Sequence, residues 1–193
     1  MVSRGWMVVM KPVFLIGYMG CGKTTLGEAL ALQMEMRFID LDVFIEEQQG
    51  MTIVEIFDKM GEEHFRKLEL TALRDVAAMA DVIVSCGGGT PCHGNNMALM
   101  NAAGTTVWLI TSPKRITARL LLPEQKCKRP KINTIPDDEV LPLVEKELQA
   151  RIPYYRQCQL QFDSTDIETA EATARTARLL AARLESLRQA TKS

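Results

Sequence analysis

The chain lacks a strong net charge and lacks any long apolar run, and these two absences narrow its function. Among its 193 residues, 23 Lys and Arg stand against 24 Asp and Glu, so no overall basic field would attract nucleic acid or an anionic membrane. No apolar run approaches the roughly 18 residues of a membrane span. We therefore expect no nucleic-acid partner and no membrane association, and any anion site must be local.

Paired cysteines are also missing. The five cysteines, at positions 21, 86, 92, 127 and 158, are odd in number and form no C-x-x-C pair, which indicates neither a disulfide framework nor a zinc site. Cys92 and His93, with Cys86 nearby, lack a convincing fourth metal ligand. The start, "MVSRGWMVVMKP", carries no small-residue cleavage site. We expect a cytoplasmic protein with reduced thiols, in which residues 1–9 are an extension ahead of the first strand.

Short apolar runs alternate with longer segments of helical spacing. This alternation predicts an α/β fold with a parallel sheet covered on both faces, and the usual prior of roughly 100 to 200 residues per domain favours one domain over residues 1–193. The predicted strands are "VFLI" at 13–16, "RFI" at 37–39, "DVIVS" at 81–85, "TTVWLI" at 105–110 and "LQF" at 160–162.

Three further segments stand out from this alternation. Residues 42–80 predict a long, mainly helical insertion interrupted at Gly50 and Gly61. "LLLPEQKCKRPKINTIPDDE", rich in Pro and Lys, has the composition of a mobile loop. The C-terminal segment predicts a helix with a core-facing apolar stripe, made of Ile167, Ala170, Ala174, Ala177, Ala181, Leu184 and Leu187.

The stretch "VFLIGYMGCGKTTLGEAL" fits the phosphate-loop pattern G-x-x-x-x-G-K-[ST] as Gly17, Gly22, Lys23 and Thr24. A predicted strand precedes it and a predicted helix follows. Glycines let the backbone N–H groups point inward, at the positive end of a helix dipole, where they bind phosphate. Lys23 would reach the β- and γ-phosphates of a nucleotide, and the Thr24 hydroxyl would join the shell of Mg²⁺.

Two acids end the second predicted strand, in "RFIDLD". Asp40 and Asp42 lie one residue apart, so one can face Mg²⁺ while the other reaches into the cleft, and either could instead cap a helix. The next core strand offers Ser85 where a magnesium-binding acid usually stands, which makes Asp40 the better candidate for the metal, acting through water. The glycines of "GGG", Gly87–Gly89, follow that strand at the edge where open α/β sheets bind ligands.

Taken together, these segments resemble shikimate kinases. "GYMGCGKTT", "DLD", "FRKLE", "CGGG", "KRP" and "ARIPYYR" occur in the order and spacing of that family, from about Lys11 to about Leu187. The resemblance implies a monomeric three-layer α/β/α P-loop NTPase fold with a five-stranded parallel sheet. It also implies a helical substrate-binding region at about 42–80 and a mobile lid at about 120–135. The implied reaction, in the chorismate route to aromatic amino acids, transfers the γ-phosphoryl group of ATP to the 3-hydroxyl of shikimate.

The resemblance also implies roles for individual residues. Asp42 would hold and activate the hydroxyl, and Lys23 and Arg129, the lid arginine, would stabilise the transferring phosphoryl group. Thr24 and Asp40 would hold Mg²⁺. The nucleotide-binding residues would be Gly20, Cys21, Gly22, Lys23, Thr24, Thr25 and Arg129. The shikimate-binding residues would be Asp42, Arg66, Gly87, Gly88, Gly89 and Arg151, with Glu69 orienting Arg66.

The sequence departs from the family at the lid and at the adenine site. The family commonly continues "RPLL", whereas this chain reads "RPKI". The arginine that often flanks adenine has no clear counterpart, since Arg119 is offset. By resemblance, "QFDST" at 161–165 supplies the other adenine wall through its backbone.

Two other functions stay open at this point. Another small-molecule kinase, of gluconate or nucleoside monophosphate type, would share the phosphate loop but need different acceptor contacts. A nucleotide-dependent switch would also share it, but the set of Asp42, Arg66 and Arg151 would then have no purpose. ADP release with each acceptor, and calorimetric titration with ATP, GTP and shikimate, would separate these classes.

Overall fold

Five parallel strands form the centre of the structure, a computed structural model that describes residues 9–127 and 129–190. Apart from Val9, the predicted N-terminal extension lies outside the described residues, as does Lys128 of the lid. The sheet order is β2-β3-β1-β4-β5, with every neighbouring pair parallel, which confirms the predicted α/β fold with a five-stranded parallel sheet. The strands are β1 (Val13–Ile16), β2 (Arg37–Asp40), β3 (Val82–Ser85), β4 (Thr105–Ile110) and β5 (Leu160–Asp163).

Helices connect the strands and cover both faces of the sheet. A short 3-10 turn, Thr90–Cys92, follows β3. The described α-helices are α1 (Lys23–Met34), α2 (Leu41–Gln49), α3 (Ile53–Ala77), α4 (Asn96–Ala103), α5 (Pro113–Leu120), α6 (Pro123–Lys126), α7 (Pro130–Asn133), α8 (Asp137–Tyr155) and α9 (Ala170–Ala190). Within the described residues, no helix is both long and apolar enough to cross a membrane.

Alternate strand residues build two cores, one on each face of the sheet. On one face, Phe14 and Val84 belong to a buried cluster with residues of α2, α3, α4 and α8. On the other face, Leu15 and Ile83 pack with α1 and α9. Successive side chains of a strand point to opposite faces, and because both faces are covered, the strands read as continuous apolar runs.

The predicted helical insertion is present as α2 and α3, between β2 and β3. Gly50 ends α2 with left-handed backbone, and Gly61 interrupts α3 at φ 79° and ψ 169°, so both predicted interruptions are confirmed. A capping box begins α3: Thr52 accepts from the N–H of Glu55, and the Glu55 side chain accepts from the N–H of Thr52.

The segment predicted as an irregular loop is more ordered than its composition indicated. It contains the short helices α6 and α7 and the first turn of α8. Ile132 of α7 is fully buried with Val140 and Val144 of α8, in a small cluster that also includes Tyr18 of the phosphate loop. The buried Ile132 therefore anchors this segment, of which we call residues 121–136 the lid, and the Pro- and Lys-rich composition hides that anchor.

The core-facing side of α9 also differs from the predicted stripe. Ala177, Ala181 and Leu184 are buried as predicted, but Ala170 and Ala174 are exposed. Buried threonines take part of that face instead, since Thr173 and Thr176 are both buried and donate their hydroxyl hydrogens to backbone carbonyls of the preceding loop. A satisfied hydroxyl can be buried at little cost, so apolar spacing alone misplaced the stripe.

Candidate active site

A cavity of about 1090 Å³ opens at the carboxyl ends of the central strands. Strand β1 lies between β3 and β4, so the strands that follow β1 in the chain lie on both sides of it. Such a change in the direction of strand order is where open α/β sheets bind ligands. The structure brings most predicted site residues to this cavity. Those on its walls include Lys23, Thr24, Asp40, Asp42, Gly87 and Arg129.

The phosphate loop joins β1 to α1 with three glycines at positive φ. Gly17 has φ +144°, and a Cβ atom on it would lie 2.8 Å from the carbonyl oxygen of Leu109; Gly22, at φ +99°, would meet Ile167 at 2.1 Å. Any other residue at either position would clash and strain the backbone. The Lys23 ammonium group is buried and donates to the carbonyl oxygens of Gly17 (2.8 Å) and Tyr18 (3.0 Å), so the loop itself fixes this cation at the cavity.

Thr24 and Asp40 form the predicted pair of oxygen groups beside the loop. Thr24 Oγ1 donates to Asp40 Oδ2 at 3.2 Å. The other oxygen of Asp40 accepts from the backbone N–H of Asp42 at 3.1 Å and caps α2, so the capping role applies to Asp40. A hydroxyl and a carboxylate are ligand types that Mg²⁺ accepts. The pair fits an ion that takes its other ligands from phosphate and water.

Asp42 lies in the first turn of α2 and lines the cavity. Burial, together with the negative charges of Asp40 and Glu69, raises the pKa of Asp42 from its ordinary 3.8 to about 6. Lys23 opposes this shift through its positive charge. A carboxyl group with a pKa so close to neutrality is suited to accept a proton.

The three consecutive glycines after β3 each lie against a different predicted site residue. A Cβ atom on Gly87 would lie 3.0 Å from a carboxylate oxygen of Asp42, and one on Gly88 would lie 3.1 Å from Arg151 Nη1. A Cβ atom on Gly89 would lie 3.4 Å from both terminal nitrogens of Arg66. The missing side chains therefore leave room beside a carboxylate and beside each of two guanidinium groups.

Arg66 of α3 is held by two carboxylates of its own helix. Its Nη1 donates to Glu69 Oε2 at 3.0 Å, and its Nη2 donates to Glu62 Oε1 at 3.0 Å. Glu69 is 1% exposed, and its other oxygen accepts from the Thr90 hydroxyl at 2.5 Å. The predicted contact between Arg66 and Glu69 is present, and Thr90, which the sequence did not single out, completes it.

Arg151 of α8 reaches the glycine run from the opposite side. Its Nη2 donates to Glu147 Oε2 at 3.0 Å, and its guanidinium group stacks over the Tyr18 ring, 5.0 Å from the centroid. Tyr155, also on α8, donates its hydroxyl hydrogen to the carbonyl oxygen of Gly88 at 2.6 Å. Glu147, Tyr18 and Tyr155 were not predicted as site residues, although Glu147 and Tyr155 lie four residues before and after Arg151 on α8, a spacing that places them beside it.

Arg129 lies on the lid and also reaches the cavity. Its Nη1 donates to the carbonyl oxygen of Gln125 (3.2 Å) and to the Gln125 side chain (2.7 Å). Both contacts are within the lid, so the lid holds this arginine from behind. Burial lowers its pKa, but an arginine stays charged at any physiological pH.

Arg119 of α5 lies at the other end of the cavity, although the sequence left its role open. Its Nη1 donates to the carbonyl oxygen of Gly20 at 3.1 Å. Its Nη2 donates to the carbonyl oxygen of Thr165 at 3.0 Å and to Glu168 at 2.9 Å. Arg119 therefore ties the phosphate loop to the "QFDST" segment, which the resemblance assigns to the adenine wall.

Comparison with known proteins is consistent with this arrangement. The family model described as shikimate kinase matches residues 19–181. A shikimate kinase of Bacteroides fragilis is 44% identical over 164 residues, covering 82% of this chain and 90% of that protein.

Solved structures agree in fold. The shikimate kinase of Bacteroides thetaiotaomicron superposes with a TM-score of 0.84 at 37% identity, over 92% of this chain and 99% of that one. The shikimate kinase of Acinetobacter baumannii in complex with shikimate gives a TM-score of 0.77 at 26% identity, over 92% and 94%. With its phosphate loop, its paired arginines and this likeness along most of its length, the chain belongs to the shikimate kinase family.

Proposed function

We propose that this chain transfers the γ-phosphoryl group of ATP to the 3-hydroxyl of shikimate, giving shikimate 3-phosphate and ADP. The observation that carries the proposal is the glycine run after β3, which lies against Asp42, Arg151 and Arg66 in turn. Two guanidinium groups and one carboxylate along this run suit a small acid that bears a hydroxyl group. The phosphate loop lines the same cavity as Asp42, Gly87 and Gly88.

Arg66 and Arg151 bind the carboxylate of shikimate. A planar guanidinium fork matches a carboxylate better than lysine does. Glu69 and Glu147 each occupy one terminal nitrogen of their arginine. Each arginine keeps further N–H groups for the substrate, and Gly87, Gly88 and Gly89 give the substrate room.

Asp42 accepts the proton of the shikimate hydroxyl as that oxygen attacks the γ-phosphorus. At neutral pH its carboxyl group is ionised, since its pKa of about 6 lies below. Phosphoryl transfer depends mainly on alignment and charge stabilisation. Lys23 and the lid residue Arg129 supply positive charge to the transferring group.

The nucleotide lies along the phosphate loop, against Gly20, Cys21, Gly22 and Thr25, with its adenine near Arg119 and Thr165. Thr24 and Asp40 hold Mg²⁺, the latter through water. When bound, the ion neutralises charge on the phosphate oxygens.

We further infer that the protein works as a cytoplasmic monomer. The five cysteines are free, which suits a reducing compartment. Sedimentation at enzyme-assay concentrations measures the monomer directly.

The test is ADP release in the presence of shikimate, gluconate or a nucleoside monophosphate. Of these three acceptors, we expect turnover only with shikimate. We expect Arg66→Ala and Arg151→Ala to raise KM for shikimate while nucleotide binding persists. Lys23→Ala should lower turnover by about 10²-fold or more. Turnover with gluconate in place of shikimate, or full activity of Lys23→Ala, would contradict the proposal.

A further inference from the structure

Glu147 on α8 joins three parts of the molecule at the edge of the substrate pocket. Its Oε2 accepts from the Tyr18 hydroxyl of the phosphate loop at 2.9 Å and from Arg151 Nη2 at 3.0 Å. Its Oε1 pairs with the ammonium group of Lys131 on the lid. The Glu147 side chain is 15% exposed, so its carboxylate is largely screened from water.

The environment keeps this carboxylate charged. Burial by itself raises the pKa of Glu147, but hydrogen bonds from Lys131 and Tyr18, with the positive charges of Arg151 and Lys131, outweigh burial and lower it. The ordinary range for glutamate already lies well below neutrality. Glu147 is therefore an anion throughout the working pH range.

Charge complementarity alone would not predict a negatively charged Glu147 beside Arg151, an arginine proposed to bind an acid. Shikimate is an acid, and a fixed negative charge beside Arg151 reduces the attraction that a carboxylate ligand feels. Arg66, however, also lies beside glutamates, with Glu69 on its Nη1 and Glu62 on its Nη2. In both cases glutamate holds the guanidinium group while that group lies against the glycine run, which indicates that orientation matters more here than net charge.

Lys131 gives Glu147 a second positively charged partner, whereas the other oxygen of Glu69 accepts from the neutral hydroxyl of Thr90. Lys131 is the lysine of "RPKI", which this chain has in place of the family's "RPLL". The residue that departs from the family pattern therefore forms an ion pair with Glu147. The Lys131 side chain is 60% exposed, and it lines the same cavity as Lys23 and Asp42. The lid is thus connected to the substrate arginine through a single carboxylate.

We propose that Glu147 is a positioning residue that orients Arg151 toward the substrate carboxylate and holds the lid in place through Lys131. This inference rests on the proposed function of Arg151. Glu147 itself touches no reacting atom. It acts by restricting a guanidinium group that would otherwise sample several rotamers, and by making lid position and substrate binding depend on each other.

Glu147→Gln separates positioning from simple charge, because the two effects have opposite signs. If Glu147 acted only through its charge, removing that charge would lower KM for shikimate. If it positions Arg151, the weaker neutral contacts should raise KM for shikimate about tenfold, with a smaller change in kcat. The matched control is Glu145→Gln, the same change at an exposed site of α8, which should leave both constants as in the parent.

Lys131→Met tests the lid contact without risk to folding, since this side chain is mostly exposed. We expect KM for shikimate to rise about threefold, as for a partly solvated ion pair. Lys131→Met should have a smaller effect in the Glu147→Gln background, because only a weaker, neutral contact remains there to be lost. Lys126→Met removes a different lid lysine, which pairs with Asp137 at 2.5 Å, and should show equal effects in both backgrounds.

Two results would overturn the inference. One is a lower or unchanged KM for shikimate in Glu147→Gln, while Arg151→Ala raises it. The other is independent, multiplying effects of Glu147→Gln and Lys131→Met. If Arg151→Ala itself left KM unchanged, the proposed substrate site would be wrong, so the two failures are distinguishable.

Discussion

Asp42 lies among negative charges, although the proposed reaction needs its carboxylate in the ionised form. Asp40 and Glu69 both raise its pKa, after burial itself, and Lys23 only partly compensates. The raised pKa makes Asp42 a stronger base. It also brings the acid limb of the activity profile, the fall in activity as Asp42 becomes protonated, close to physiological pH. Two expectations follow from this one residue, one for activity and one for stability.

Activity should depend on the ionisation of Asp42. Below about pH 6 the folded enzyme carries a protonated Asp42, which cannot accept the hydroxyl proton, so kcat/KM for shikimate should fall as the pH is lowered through that value. ADP release measured from about pH 5 to about pH 8 gives the profile, because kcat/KM reports groups of the free enzyme.

Asp42→Asn should lower kcat by about 10²-fold or more and should remove this acid limb. Asp58→Asn, an exposed acid of α3, should keep both the parent rate and the parent profile. An unchanged acid limb in the residual activity of Asp42→Asn would assign the titration to another group.

The same substitution should stabilise the protein at neutral pH. The folded-state pKa of Asp42 is raised from 3.8 to about 6, so the ionised form is disfavoured in the folded protein, and stability is lost as pH rises through this window. Such a shift corresponds to about 3 kcal/mol at most, and partial exposure reduces it to an expected gain on the order of 1 kcal/mol.

Urea unfolding of parent and Asp42→Asn at pH 7 and near pH 4 measures that gain. We expect Asp42→Asn to be more stable at pH 7 and the difference to shrink near pH 4, where the parent carboxyl group is largely protonated in the folded state. A variant less stable than the parent at pH 7 would mean that the Asp42 carboxylate makes a net favourable contact.

Residue by residue, the sequence predicted those parts of the site that lie in short motifs. Lys23 and Thr24 come from one loop pattern, and Asp42, Arg66 and Arg151 from the resemblance. Glu147 lies four residues before Arg151 on α8, so helical spacing could have indicated it. Arg119 and Tyr18 were missed as site residues because their partners lie far along the chain: Tyr18 is 129 residues from Glu147. Such contacts depend on packing between elements, which no local pattern encodes.

At the scale of elements, α3 consists of two helical pieces joined at Gly61. The first piece begins at the capping box, and the second carries Arg66 and Glu69 toward the glycine run. Because Gly61 turns the chain between them, it sets the direction in which Arg66 approaches the pocket. Gly50 ends the preceding helix with ordinary left-handed backbone, at φ 63° and ψ 23°.

These two glycines allow a matched prediction about backbone conformation. A Cβ atom on either would meet nothing within 4 Å, so only the backbone decides the cost. Asn tolerates the left-handed region at Gly50, whereas φ 79° and ψ 169° at Gly61 belongs to a region that only glycine readily adopts.

Gly50→Asn should therefore cost less than about 1 kcal/mol, and Gly61→Asn about 1–3 kcal/mol, measured by urea unfolding at neutral pH. Because the kink directs Arg66, KM for shikimate should also rise in Gly61→Asn alone. Equal costs at the two positions would show that Gly61 is not held in this conformation.

Elements were most predictable where short apolar runs mark the strands. Each strand of the sheet overlaps a predicted apolar run, including β2 and β5, which are not fully buried, and α1 follows the phosphate loop as predicted. The lid was less predictable, because its buried residue Ile132 stands among Pro, Lys and Asn residues. On α9 the threonine hydroxyls are satisfied by carbonyls of the preceding loop, and a spacing rule cannot foresee that.

For the molecule as a whole, the substrate-binding helices share a core with the sheet. Ile45 of α2 and both Ile56 and Phe65 of α3 belong to the same buried cluster as Phe14 and Val84. A unit with its own core could unfold alone, whereas helices that complete the core of the sheet should unfold with it. The prediction of one domain over residues 1–193 can therefore be tested by thermal unfolding.

Calorimetry of the parent should give one transition, and shikimate should raise its midpoint. At about 100 times Kd a ligand adds about 2.7 kcal/mol to the stability of the unit that binds it, or about 5–10 °C for a chain of this size. Arg66→Ala should lose this shift, while Arg74→Ala, at an exposed site on the same helix, should keep it. Two transitions, of which shikimate moves only one, would mean that α2 and α3 form a separate unit, despite the cluster that joins Phe65 to Phe14.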